Sequence, residues 1–217
     1  IGGIEVSRIA QGCMRIDRLS HTELDALIRS DLEAGISIFE HADIYGGNGR
    51  CEELFGNVLR ADPSLRERMI LQTKCGIRPG QYDFSKEHIL ASVDASLKRL
   101  GTEQVEFLVL HRPDTLVEPE EVAEAFTQLK QQGKVRKFGV SNHNSYQLEL
   151  LQKYLDMPIC TNQLQFGIMH APMVQSGINV NLYNDSATNR DGGVLDYCRL
   201  KDITIQPWSP MQYGFFE

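Results

Sequence analysis

Several features are missing from this sequence, and each absence narrows what the chain can be. No apolar run approaches the roughly 18 residues that a membrane-spanning helix needs, so no membrane partner is expected. There is no CxxC pair. The five cysteines, Cys13, Cys51, Cys75, Cys160 and Cys198, are scattered and odd in number. That pattern argues against a disulfide scaffold and a structural zinc site, and fits a reduced, cytoplasmic protein. Basic excess is missing too: 22 Lys+Arg face 29 Asp+Glu, for a formal charge of -7. A general nucleic-acid or anionic-membrane binder needs the opposite balance, although a local patch for a cofactor phosphate stays compatible with it. No signal peptide is visible, but the chain begins at Ile1 rather than Met, so that absence carries no weight. Low-complexity tracts are absent.

What is present is alternation. Ser20-His21-Thr22-Glu23 reads as a capping box, with Leu24, Leu27, Ile28 and Leu32 following at helical spacing and Gly35 closing the helix. Apolar strands are predicted at 36–40, 69–74, 105–110, 135–140, 159–164 and 203–208, after a mixed strand near 8–14. Between them lie helical patterns: 51–59; one capped by Ser85 and bearing Ile89, Val93 and Leu97; one starting near Pro119 with Val122, Phe126 and Leu129; one with Leu148, Leu151 and Leu155; and a short one at 195–200. A Gly/Asn-rich connection covers 167–191, long enough to be functional. Strand-then-helix units at roughly 30-residue intervals imply a parallel sheet.

Two α/β architectures compete, a doubly wound sheet and a (β/α)8 TIM barrel. A dinucleotide-binding doubly wound sheet should carry GxGxxG after its first strand; Gly12-Cys13-Met14-Arg15 stands there instead. A barrel places functional groups at the C-terminal ends of many strands, and this sequence does so. The barrel is the expected fold. Its eighth βα unit is expected to lie beyond residue 217, which makes 1–217 a single domain truncated at its C-terminus.

Each strand end has a plain structural reading beside a chemical one. Tyr45 is a packing tyrosine, or a general acid if a nearby cation acidifies its phenol. Lys74 snorkels to the rim, tunes a neighbour, or forms a Schiff base. His111 is a satisfied structural histidine, or it orients a carbonyl. Ser141 and Asn142 make a turn with helix capping by Asn142 or Asn144, or bind an amide-bearing ligand. Gln163 ends the next strand. Trp208, the only tryptophan, is a core plug or a flat face for an aromatic ring. The signals are weak singly and strong together, because consecutive strands deliver them at one end.

These residues resemble the aldo-keto reductase family along essentially the whole chain. The likeness rests on Arg8-Ile9-Ala10-Gln11-Gly12-Cys13-Met14-Arg15, Phe39-Glu40-His41-Ala42-Asp43-Ile44-Tyr45-Gly46, Leu71-Gln72-Thr73-Lys74, Leu108-Val109-Leu110-His111-Arg112-Pro113, Gly133-Lys134-Val135-Arg136-Lys137-Phe138-Gly139-Val140-Ser141-Asn142, Thr161-Asn162-Gln163 and Gln206-Pro207-Trp208-Ser209-Pro210. Within the family the chain looks most like a group of bacterial oxidoreductases. The resemblance implies a (β/α)8 barrel that reduces small-molecule aldehydes and ketones. NADPH is the implied cofactor, with NADH left open. Tyr45 falls on the catalytic acid, Lys74 on the lysine that tunes it and His111 on the histidine that orients the carbonyl. Ser141 and Asn142 fall on the pair that holds the nicotinamide carboxamide, with Gln163 assisting, and Trp208 on the aromatic residue that stacks on the ring. Gly12, Cys13, Met14 and Ser209 fall among the positions lining the cofactor.

One departure stands out. The family's tetrad aspartate lies five residues before the tyrosine, where this chain has Glu40; Asp43 is the right type at another position. Glu40 is expected to pair with Lys74. The alternatives are a weakly active or regulatory cofactor-binding barrel, a non-redox lyase working through Lys74, and an inactive fragment. Met169, His170 and Tyr183 are candidate wall residues of a substrate pocket. The sequence names neither the substrate nor an oligomeric state.

Overall fold

The strand order decides between the two architectures. The computed structural model describes residues 1–211, and the reading of the chain's end as a truncation falls outside them. In chain order the strands are β1 (Ala10–Gly12), β2 (Ile38–Glu40), β3 (Ile70–Cys75), β4 (Ile77–Arg78), β5 (Gln81–Tyr82), β6 (Val105–Leu110), β7 (Val135–Ser141), β8 (Ile159–Gln165) and β9 (Thr204–Trp208). Seven form one sheet in the order β1-β2-β3-β6-β7-β8-β9, every pairing parallel. A doubly wound sheet reverses its order at a switch point; this one never does. Successive right-handed crossovers then put every helix on one face, and the sheet curls around the other.

The curl is visible in side-chain contacts across the interior. Gln72 of β3 and Gln206 of β9 exchange two hydrogen bonds, each 3.0 Å, over 134 residues of chain. Gln163 of β8 donates to Glu40 of β2 at 3.3 Å. Strands that lie far apart in sheet order thus meet inside. This is the (β/α)8 arrangement, with seven of its strands among the described residues.

The helices are α1 (His21–Glu33), α2 (Arg50–Ala61), α3 (Lys86–Leu100), α4 (Pro119–Gln131), α5 (Ser145–Tyr154), α6 (Pro172–Ile178) and α7 (Val194–Leu200). The Ser20/Glu23 capping box opens α1, and a second box, Asn144/Gln147, opens α5. Pro119 takes the first turn of α4, where its missing N–H is no loss. The core lies between sheet and helices: all six residues of β6 are buried, as expected of a strand covered on both faces. Two features differ from the sequence reading. A β4–β5 hairpin comes directly after β3, turned by Pro79-Gly80. The 167–191 connection is not an open loop but contains α6, begun by Pro172 and anchored by buried Met173. Among the described residues no helix is long and apolar enough to cross a membrane.

Helices α2 and α3 approach closely because residue 56 is glycine. A Cβ on Gly56 would stand 2.8 Å from the Leu100 carbonyl carbon and overlap the Arg99 carbonyl oxygen. Backbone cannot yield as a flexible side chain can. Gly56→Val is therefore expected to cost about 1–3 kcal/mol. A thermal melt should show it as a Tm lower by roughly 2–10 °C; an unchanged Tm would mean the helices separate freely.

Candidate active site

One oxygen atom gathers the polar ends of three strands. Glu40 is the last residue of β2, nearly buried, and its side chain enters the barrel. Its Oε1 contacts the Lys74 Nζ of β3, accepts from the Tyr45 hydroxyl at 3.3 Å, and accepts from Gln163 Nε2 at 3.3 Å. Lys74 is 1% exposed and also donates to the His41 carbonyl at 3.0 Å. Its Nζ lies 4.8 Å from the centre of the Tyr45 ring. His111, one residue past β6, meets that ring edge-on with centroids 5.9 Å apart. Alternation along each strand explains the convergence: Ile38 and Glu40, Gln72 and Lys74, and Thr161 and Gln163 are i, i+2 pairs, so each pair shares a face.

The environment sets the protonation states. Burial pushes the Lys74 ammonium well below its usual range, and its Nζ meets the Glu40 carboxylate. Burial also raises the Tyr45 phenol above its ordinary value, with the Cys13 and Cys51 thiols adding to the shift. The phenol is therefore protonated at neutral pH. His111 is driven down to about 3, first by burial and then by the positive charges of Lys74 and Arg112. It is a neutral imidazole at pH 7, and its buried Nδ1 has no hydrogen-bond partner among the described residues.

A second cluster adjoins the first. Ser141 ends β7, and its hydroxyl donates to the Gln163 main-chain carbonyl at 3.1 Å. The Asn142 amide donates to Ser141 Oγ at 2.7 Å, and the Trp208 indole N–H donates to Asn142 Oδ1 at 3.1 Å. Asn142 adopts φ 59, a left-handed conformation that asparagine tolerates better than most residues. Helix capping falls to Asn144, leaving Asn142 free for this role. Hydroxyl, amides and an indole plate side by side suit a flat heteroaromatic ring bearing a carboxamide, so the residues fit a nicotinamide.

The remaining expected residues are placed less centrally. Gly12 is the last residue of β1, close enough that a Cβ there would lie 3.7 Å from Glu40 Oε2. Cys13 is buried and donates its main-chain N–H to the Glu40 carbonyl at 2.8 Å. Met14 is exposed, and Ser209 follows Trp208 with φ 49. Asp43 does not join Lys74 through its side chain. Its carboxyl feels Glu52 and Arg99 instead, and burial with Glu52 raises it to about 7. Beside Trp208 opens a cleft of about 560 Å³, lined among others by Arg112, His143, His170 and Arg190. His170 is thus on its wall, whereas Met169 and Tyr183 are exposed. Sequence reading misses Gln72 and Gln206, whose pairing floors the site. Their i, i+2 spacing from Lys74 and Trp208 is the available signal.

A family model described as the aldo/keto reductase family matches residues 8–217. The chain is 40% identical to the uncharacterized oxidoreductase YcsN of Bacillus subtilis (strain 168), over 97% of this chain and 69% of that protein. It is 40% identical to the oxidoreductase YdhF of Escherichia coli (strain K12), over 81% of this chain and 62% of the relative. A 6-dehydroglucose reductase of Novosphingobium aromaticivorans is 37% identical over 98% of this chain and 67% of its own length. The likeness to bacterial oxidoreductases is as the motifs lead one to expect. This chain spans between 62% and 69% of the length of these three relatives.

Proposed function

The chain belongs to the aldo/keto reductase family of oxidoreductases, and from that premise we propose that it reduces the carbonyl group of a small aldehyde or ketone, with NADPH as cofactor. The observation that carries this reading is the meeting of Tyr45 and Lys74 on one buried carboxylate oxygen, with neutral His111 against the phenol ring.

A reduced nicotinamide, when bound, supplies the hydride that adds to the carbonyl carbon. Ser141, Asn142 and Gln163 hold its carboxamide and Trp208 faces its ring. The protein's own chemistry concerns the oxygen. His111 donates a hydrogen bond and polarises the carbonyl before charge develops, which is where a fixed donor is worth most. Tyr45 turns its hydroxyl from Glu40 toward the substrate oxygen and gives up its proton. Lys74, held by Glu40 and the His41 carbonyl, lies against the ring and stabilises the phenolate left behind. That role is opposed in the resting state by the burial that raises the phenol, so the tuning operates as the proton leaves. The cleft beside Trp208 is the route for substrate, and His170 is a wall residue. A reduced cytoplasm suits five separate, unpaired, buried thiols.

The lyase reading loses ground on geometry. Lys74 is 1% exposed with its Nζ engaged by Glu40 and the His41 carbonyl, so a carbonyl carbon has no open approach to that amine. The test is direct. NADPH absorbance is followed with a panel of simple aldehydes and a sugar-derived aldehyde, the last suggested by the name of the 6-dehydroglucose reductase relative. Saturable oxidation with at least one is expected. No oxidation, together with no change in NADPH fluorescence on adding protein, would defeat the proposal.

A further inference from the structure

Glu40 does more than pair with Lys74, because its extra methylene carries the carboxylate across the barrel to Gln163. We propose that Glu40 is a positioning residue that fixes the Gln163 side-chain amide in one orientation, and thereby makes the site select a ring carrying a carboxamide over one carrying a carboxylate or a ketone. The inference rests on the reading that Gln163 faces the nicotinamide.

The balance of donors and acceptors sets the orientation. An ionised carboxylate accepts and cannot donate. Glu40 Oε1 already meets Lys74 and the Tyr45 hydroxyl, both donors. Gln163 can approach the same oxygen only through its Nε2, as it does at 3.3 Å. The contact favours one amide orientation, with Nε2 toward Glu40 and the oxygen away from it. The neighbours have spent their donors in the same way. Ser141 gives its proton to the Gln163 main-chain carbonyl, and Asn142 gives one N–H to Ser141 Oγ. Left for a ligand are the Gln163 oxygen, the second lone pair of Asn142 Oδ1 and one Asn142 N–H. That set is rich in acceptors and calls for a ligand with N–H groups, which a carboxamide has. A carboxylate would set its two oxygens against two acceptors with only the single Asn142 N–H to satisfy them, and an acetyl group would leave the acceptors unpaired. Buried polar groups left unpaired in this way weaken binding about tenfold or more.

The experiment measures binding, not turnover. Dissociation constants are determined by fluorescence titration for NADPH, for its reduced deamido counterpart with a ring carboxylate, and for the reduced 3-acetylpyridine analogue. Wild type is expected to favour NADPH at least tenfold over both. Glu40→Asp still reaches Lys74 on the adjacent strand but falls short of Gln163, so the preference should shrink to a few-fold. Glu40→Gln can donate to a flipped Gln163, which then presents its NH2 to the ligand, and the preference should move toward the ketone analogue. A residue that merely supported the fold would weaken all three ligands alike and leave the ratios unchanged. Wild type binding NADPH and the deamido cofactor equally well overturns the inference without any variant, as does Glu40→Asp keeping the wild-type ratio. Wild type binding none of the three defeats the functional reading itself, and this inference with it.

Discussion

Tyr45→Phe is expected to lower kcat for carbonyl reduction by about 10²–10⁴-fold, the range that a general acid supplies, while NADPH binds as before. Only the hydroxyl is removed. The ring keeps its edge contact with His111 and its place under the Lys74 Nζ. Glu40 Oε1 loses one donor but keeps Lys74 and Gln163, so no buried charge is stranded and the fold should survive. The lost interaction operates only as the substrate oxygen gains charge, so kcat and kcat/KM should fall together with little change in KM. Steady-state kinetics beside a cofactor titration will separate the cases. Wild-type kcat in the variant would remove Tyr45 from the acid's role.

The second large effect is on stability at low pH. Burial holds His41 and His111 down to about 3 and His143 down to about 4. In the unfolded chain each should titrate near 6.5. Between those values the unfolded state binds more protons than the folded one, so stability is fully present above about pH 6.5 and is lost as pH falls toward 4. Each imidazole contributes about 1.4 kcal/mol per pH unit across that window. Asp43 acts oppositely. Its carboxyl is raised to about 7 by burial and by Glu52, so the folded state holds its proton where the unfolded state has released it, and it offsets one imidazole. For these four groups together the slope is about 3 kcal/mol per pH unit. From pH 6.5 down to 4 that slope removes about 7 kcal/mol, so for a stability in the lower part of the usual range of about 5–15 kcal/mol cooperative unfolding is expected between about pH 4 and 5. Circular dichroism across pH 7 to 3 will measure it. His41 offers the control: it is 0% exposed, packs edge-on against Phe55, and neither ring nitrogen has a hydrogen-bond partner among the described residues. His41→Phe should move the acid midpoint lower. A midpoint that does not move would mean His41 is not excluded from protons in the folded state.

The parts of this protein governed by local spacing are legible in the order of residues alone. Capping residues, apolar stripes and the polar residue at each strand exit place the helices, the strands and the sites of Tyr45, Lys74, His111, Ser141, Asn142 and Trp208 along one rim. Contacts made across the interior are not legible in that way. Whether Glu40 meets Gln163, or Gln72 meets Gln206, depends on how tightly the sheet curls, and no spacing within one strand reports that. The α6 turn and the β4–β5 hairpin escape for a smaller reason: Pro172 and Pro79-Gly80 mark breaks in chain direction without specifying the element beyond the break. His41 reads in the sequence as part of a polar strand exit. Strand alternation puts it opposite Glu40, against Phe55, and only packing shows how dry that place is.

The Gln72–Gln206 pair also bears on how the chain is made. The two residues are separated by 134 positions, and at a synthesis rate of about 5–20 residues per second Gln72 is made roughly 7–27 seconds before its partner. Until then β3 cannot settle into its final surroundings without abandoning a side-chain amide that ends up 0% exposed. Glu40 waits similarly for Gln163. The inner face of the barrel is therefore completed only once the later strands β8 and β9 are in place. Chaperone dependence of this protein should track the delay between those two glutamines, rising when translation is slowed between them.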